Sequence, residues 1–293
     1  MTAVLALLAS LVWGSSDFVG GLISRRVRPL VVVGFAHLIA VATLLPVAAA
    51  TGGFSSGTGY VLWAAAAGVV GLVGLLAYYA ALSTGTMGIV APIAGTGAIV
   101  PVIVGLASGD SPSAWQFAGI AAAVGGVVLA SGPELAGAGA ADRRPLVLAL
   151  VAAVAFGLVY TLIDKGSKHS VLMTLLTMRV VSVVIVSSIA AARVGAVRRR
   201  APAQSLGRQF GAIWPGWPLL GVIAVVGWSD AGANGLYGLA SRHGLVSIVA
   251  VLASLYPAVT VLLARIFDDE RMRRIQAVGV VVALCGVVLL AAG

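Results

Sequence analysis

Blocks of about twenty apolar residues follow one another along the whole chain, separated by short breaks rich in Gly, Pro, Ser or Arg. A helix crosses the hydrocarbon core of a membrane in about 20 residues. Ten such blocks are present, at roughly 2–23, 30–50, 60–82, 86–107, 115–131, 145–163, 171–192, 214–239, 245–264 and 274–292. The period-two alternation of a membrane barrel is absent from them. Backbone polar groups in lipid must be satisfied within the segment, so each block is expected to be a helix. The breaks fall at 25–29, 51–59, 108–112, 198–202 and 268–274, where turn formers and charges cluster. The first block has no positive residue before it and three arginines after it, so it is expected to remain as a span.

Composition turns this pattern into a class. The chain is 60% hydrophobic and 9% charged, against about 25% charged in soluble domains. Lipid is therefore its solvent. The net charge of +9 raises nucleic-acid binding, but the basic residues sit in the breaks, where they set orientation. Numbering the loops in chain order, 14 Lys and Arg fall in odd loops, 3 in even loops and tails, and Arg179 falls in a span. The positive-inside rule then puts both termini outside a multi-pass plasma membrane protein. One cysteine, Cys285, excludes internal disulfides. The three histidines lack metal spacing, and no cofactor motif occurs. Residues 53–57 match a nucleophile elbow by letters, yet no strand is expected before them. Asp268 to Arg274 is expected to be a solvated, self-neutralising loop.

The chain repeats itself. Gln116-Phe117-Ala118-Gly119 and the later Gly126-Val127-Val128-Leu129 recur 160 residues on, as Gln276-Ala277-Val278-Gly279 and Gly286-Val287-Val288-Leu289. Asp110 matches Glu270 at that offset, and residues 4–14 resemble 147–157 at an offset of 143. Two units follow, 1–131 and 145–293, with five helices each. An odd number of crossings turns the second unit upside down in the membrane. The expected fold is an all-α integral membrane protein with ten transmembrane helices in two inverted five-helix repeats. Such repeats mark secondary transporters, with the site between them near the midplane.

Certain residues resemble a family. Trp13-Gly14-Ser15-Ser16-Asp17-Phe18 resembles the opening motif of EamA-type proteins of the drug/metabolite transporter superfamily. Residues 254–260, Ser-Leu-Tyr-Pro-Ala-Val-Thr, followed by Asp269-Glu270-Arg271, resemble its closing stretch. Ala91-Pro92, Pro101 and Gly109-Asp110 resemble the first-repeat counterpart. The resemblance covers nearly the whole chain. It implies two EamA units in a bacterial plasma membrane that move a small metabolite. Two positions depart from the family pattern: His37 stands where the first repeat often has Arg, while Arg179 is kept in the second, and Asp110 replaces Glu. Well-known members keep both termini inside, opposite to the arginine count.

Ionisable groups within a span are costly and face the interior or a wet cavity. Four are read there: Asp17, His37, Arg179 and Asp230. At 1.5 Å per residue, Asp17 and His37 lie about 9 and 11 Å from one face, and Arg179 and Asp230 at matching depths from the other. The expected pairs are therefore Asp17 with His37 and Arg179 with Asp230. Trp13 and Tyr256 lie deep enough to line a cavity. Asn234 shares the Asp230 face and is expected to bond across helices. Pro92, Pro101 and Pro257 are expected to kink helices 4 and 9. Gly68, Gly71, Gly74 and Gly232, Gly235, Gly238 are expected to be close-packing faces.

The functional expectation is a secondary active transporter of an amino acid-like or cationic solute, working by alternating access, with protons as a coupling ion. Its partners are the small-molecule substrate and the lipid bilayer; monomer and homodimer both stay open. No enzyme activity is expected. An intramembrane lipid-acting enzyme and a non-transporting scaffold are the alternatives.

Overall fold

The computed structural model describes residues 1–135, 143–198, 215–268 and 274–292. Helices dominate, and no strand occurs among the described residues. The first half runs α1 (Thr2–Ser24), α2 (Pro29–Ala50), a 3-10 turn (Gly53–Ser55), α3 (Val61–Thr84), α4 (Met87–Gly95), α5 (Ile99–Ala107) and α6 (Ala114–Leu135). The second runs α7 (Arg143–Ser167), α8 (Val171–Arg198), α9 (Trp217–Ser241), α10 (Val246–Ala253), α11 (Tyr256–Phe267) and α12 (Arg274–Ala292). With α4–α5 and α10–α11 each taken as one crossing, eight segments among the described residues are long and apolar enough to span a membrane. The chain is thus a multi-pass helical membrane protein.

Local sequence explains the helix starts. Pro29, Pro218 and Pro257 occupy first turns, where no intrahelical donor is lost. Hydroxyls inside spans return to the backbone: Ser15 donates to the Leu11 carbonyl and Thr43 to that of Ile39, so neither faces lipid unsatisfied. Leu11, Leu62, Val154 and Val184 point outward, and Ala and Gly fill much of the interior. This arrangement suits lipid outside and close helix approach inside.

Helices 4 and 9, expected to be single spans kinked by proline, are each broken in two. The first parts at the 3-10 turn Thr96–Ala98, and the second at Ser254 and Leu255. Proline is the cause in both: Pro101 has no N–H for the Gly97 carbonyl, and Pro257 has none for that of Ala253.

Each break is seated on a glycine of the other half. A Cβ on Gly14 of α1 would stand 2.5 Å from the Tyr256 carbonyl oxygen, and Thr260 Oγ1 donates to the Gly14 carbonyl at 3.0 Å. A Cβ on Gly157 of α7 would collide with the Gly97 carbonyl oxygen, and one on Gly97 with that of Ala153. Gly14 and Gly157 are partners at the 143-residue offset. Other contacts also join the halves: α3 packs on α7, α1 on α9, α2 on α8, and α6 on α12.

The two glycine triplets do not act as uniform faces. Gly68 lies against the Met178 backbone, Gly74 against Ala155 and Gly238 against Ser167, whereas Gly232 has nothing near its Cβ position. Steps of three drift around a helix of 3.6 residues per turn, so each triplet crosses from an interface to another surface.

Asp110 has a clear structural role. Its Oδ2 accepts from the Ser247 backbone N–H at 3.1 Å and from the Ser247 hydroxyl at 2.8 Å. The carboxylate thus caps the first turn of α10 from the other half of the chain, where the helix dipole favours negative charge. Asp110→Ala is expected to lower stability by about 1 kcal/mol, within the range for a lost N-cap. Thermal unfolding of the purified protein in detergent checks this. The matching Glu270 lies outside the described residues, as do Asp269, Arg271 and Arg273. Asp268 does not sit in a self-contained charged loop: it pairs with Arg25 at 2.7 Å, because the end of α11 lies beside the end of α1.

Candidate functional site

Asp17, His37, Arg179 and Asp230, the four ionisable groups expected within the spans, gather around one place. Arg179 Nη2 stands 2.6 Å from Asp230 Oδ2, as expected. His37 does not pair with Asp17. Its Nε2 is instead 2.9 Å from Arg179 Nη1 and 3.8 Å from Asp230 Oδ2. Counting residues placed all four groups near mid-membrane, and depth alone cannot choose partners there. The packing of α2 on α8 and α9 does choose. A guanidinium only donates, so His37 Nε2 accepts and the ring proton sits on Nδ1. His37 and Arg179 occupy matching positions in the second helices of the two repeats, one residue away from the 143 offset. Side chains from near-matching positions of the two repeats therefore meet.

Asp230 is held from three sides. Trp13 Nε1 donates to Oδ1 at 3.2 Å, Asn234 Nδ2 donates to the same oxygen at 3.0 Å, and Arg179 faces Oδ2. Asn234 does not bond across helices, since its amide reaches back one turn along α9. The i, i+4 spacing puts both groups on one face.

Next to this network lies a cavity of about 50 Å³. At about 10–15 Å³ for each water-sized probe, it holds roughly four such groups. Trp13 and Asp17 of α1, Gly71 and Leu75 of α3, and Phe156, Val159 and Tyr160 of α7 line it. Met178 and Arg179 of α8, Asp230 and Asn234 of α9, and Tyr256 of α11 complete the wall. Six of the seven residues singled out from sequence meet here; His37 stands behind the wall, 1% exposed.

Asp17 differs from the other charges. It is 6% exposed, and no hydrogen bond or ion pair joins its carboxylate to another described residue. The Arg179–Asp230 pair is neutral as a unit and His37 accepts from it. The cavity wall therefore carries one carboxyl group, that of Asp17, with no partner among the described residues.

The apolar wall is aromatic and ordered. Trp13 packs against Tyr160 with centroids 5.6 Å apart and against Tyr237 at 6.1 Å. Phe156 and Tyr256 meet edge to face. Phe156 and Tyr160 were not singled out as site residues. The signal was available: they are Trp13 and Asp17 moved by 143, so the repeat that defined the fold also named the opposite wall. Asp164 was missed as an intramembrane charge because α7 runs four residues past its expected end. It is buried, and its charge meets Lys168 at 3.0 Å, one turn on. Lys168 carries that pair toward the surface.

Comparison with known proteins agrees with this architecture. None of the curated proteins compared matches the chain. A solved crystal structure superposes with a TM-score of 0.68 at 16% sequence identity, over 98% of this chain and 95% of its own; at that identity the likeness is one of fold. The family model described as the EamA-like transporter family matches residues 1–132 and 143–292. With both matched segments together spanning nearly the whole sequence, the chain belongs to the EamA-like transporter family.

Proposed function

We propose that the protein is a secondary active transporter that moves a small amino acid-like or cationic solute by alternating access of two inverted five-helix repeats. The observation that carries this reading is the buried polar cluster. Asp17, Arg179, Asp230 and Asn234 line one small cavity deep within apolar helices, drawn from both halves. Charges are not kept at that depth cheaply, and six helices contribute to one wall. The reciprocal seating of Gly14 and Gly157 on the opposite half's broken helix supports inverted repeats. So does the meeting of His37 with Arg179. In this reading α6 and α12 are the fifth crossings of the two repeats, which makes ten.

A cavity of about 50 Å³ is smaller than the several hundred Å³ usual for ligand sites, so loading a metabolite requires the walls to part. The broken helices are where the two halves can move against each other. Proton coupling rests on Asp17, since His37 Nε2 is already engaged by Arg179.

The test is uptake of labelled solutes into liposomes holding the purified protein. Flux above protein-free vesicles, abolished in Asp17→Asn, is the expected result. Failure of every solute class to cross would favour the scaffold reading. Flux indifferent to an imposed pH gradient would remove the proton from the cycle and leave transport standing.

A further inference from the structure

We infer that the cavity recognises the N–H-bearing ammonium head of a small organic monocation without a carboxylate group. This rests on the transport reading above and narrows its solute.

Arg179 and Asp230 form a contact pair at 2.6 Å, and Trp13 and Asn234 hold the Asp230 carboxylate in place. Binding a solute carboxylate at Arg179 would mean displacing Asp230 and leaving that anion buried without its cation, a costly exchange. A zwitterionic amino acid or an organic anion therefore lacks its receptor. Asp17 is the reverse case: a buried carboxyl group on the cavity wall with no hydrogen-bond or ion-pair partner among the described residues. A cationic group is its natural complement.

Hydrogen bonding narrows the cation. An ionised carboxylate offers acceptor sites only, and leaving them unmet in a dry site is expensive. An ammonium with N–H groups meets them through charge-assisted bonds. A quaternary ammonium supplies charge but no donor. The Phe156, Tyr160 and Tyr256 rings then offer apolar and π surface to the body of the solute.

The experiment compares three probes of equal aromatic body: 2-phenylethylammonium, its N,N,N-trimethyl form, and phenylalanine. Binding to the full-length protein in detergent is followed by calorimetry and by the shift in unfolding temperature. The expected order is 2-phenylethylammonium tightest, the trimethyl form weaker by roughly tenfold through the lost charge-assisted bonds, and phenylalanine without measurable binding. Asp17→Asn is expected to fold as well as the parent, since Asp17 has no partner among the described residues, and to lose the ammonium response. Equal or tighter binding of phenylalanine overturns the inference, as does equal binding of the trimethyl form. An unchanged ammonium response in folded Asp17→Asn overturns it too. The wild-type series decides the question even if that variant fails to fold. Failures stay separable: flux of other solutes with no amine binding refutes the inference and keeps transport, while amine binding with no flux of any solute refutes transport and keeps the site.

Discussion

Arg179→Met is expected to destabilise the protein by about 3–5 kcal/mol, the range for removing one partner of a buried ion pair. The guanidinium is 3% exposed at the side chain and Asp230 is 14% exposed, so water cannot take over the lost interaction. Without it the Asp230 carboxylate keeps only the Trp13 and Asn234 donors, and His37 Nε2 loses its donor as well. Most of the loss comes from the anion left behind, not from the absent cation. Adding Asp230→Asn to Arg179→Met should therefore restore much of the stability. Thermal or denaturant unfolding of the three proteins in one detergent measures both steps. A double variant no better than the single would show that Arg179 contributes through packing and its bond to His37.

Gly97→Ala is expected to cost about 1–3 kcal/mol or more, as overpacking does. The new methyl would collide with the Ala153 carbonyl oxygen, with the neighbouring Gly157 N–H just behind. Both are backbone atoms of α7, so no side chain can rotate away. Either the broken helix lifts from α7 or the segment between α4 and α5 shifts. Gly232→Ala is the control, because nothing lies within 4 Å of its Cβ position. There alanine gains helix propensity, worth up to about 1 kcal/mol. The pair of variants should move unfolding temperature in opposite directions. Equal effects would mean that the Gly97 contact relaxes at no cost.

Much of the candidate site could be read from single residues in the sequence. A charge in a stretch that lipid surrounds has few places to go, so Asp17, Arg179 and Asp230 stood out. The Arg179–Asp230 contact also followed from depth. His37 was assigned the wrong partner because depth is one coordinate and partner choice needs three. The aromatic wall of Phe156 and Tyr160 was hidden for a different reason. An aromatic residue in a span is usually an interface anchor, and only its place in the repeat sets it apart.

What the sequence determines by itself is the solvent, the helices and the duplication. Each depends on local composition or on self-similarity: apolar length sets a span, proline blocks a carbonyl's partner, and an offset of 143 or 160 marks the copy. What only the tertiary structure decides is which charges neutralise each other. Helices of similar hydrophobicity can pack in lipid in many orders, because lipid is as apolar as the side chains and gives no hydrophobic drive to any one of them. Close glycine contacts and buried hydrogen bonds select the order. In this chain they join Arg179 to Asp230 and His37, and they leave Asp17 at the cavity wall without a partner among the described residues.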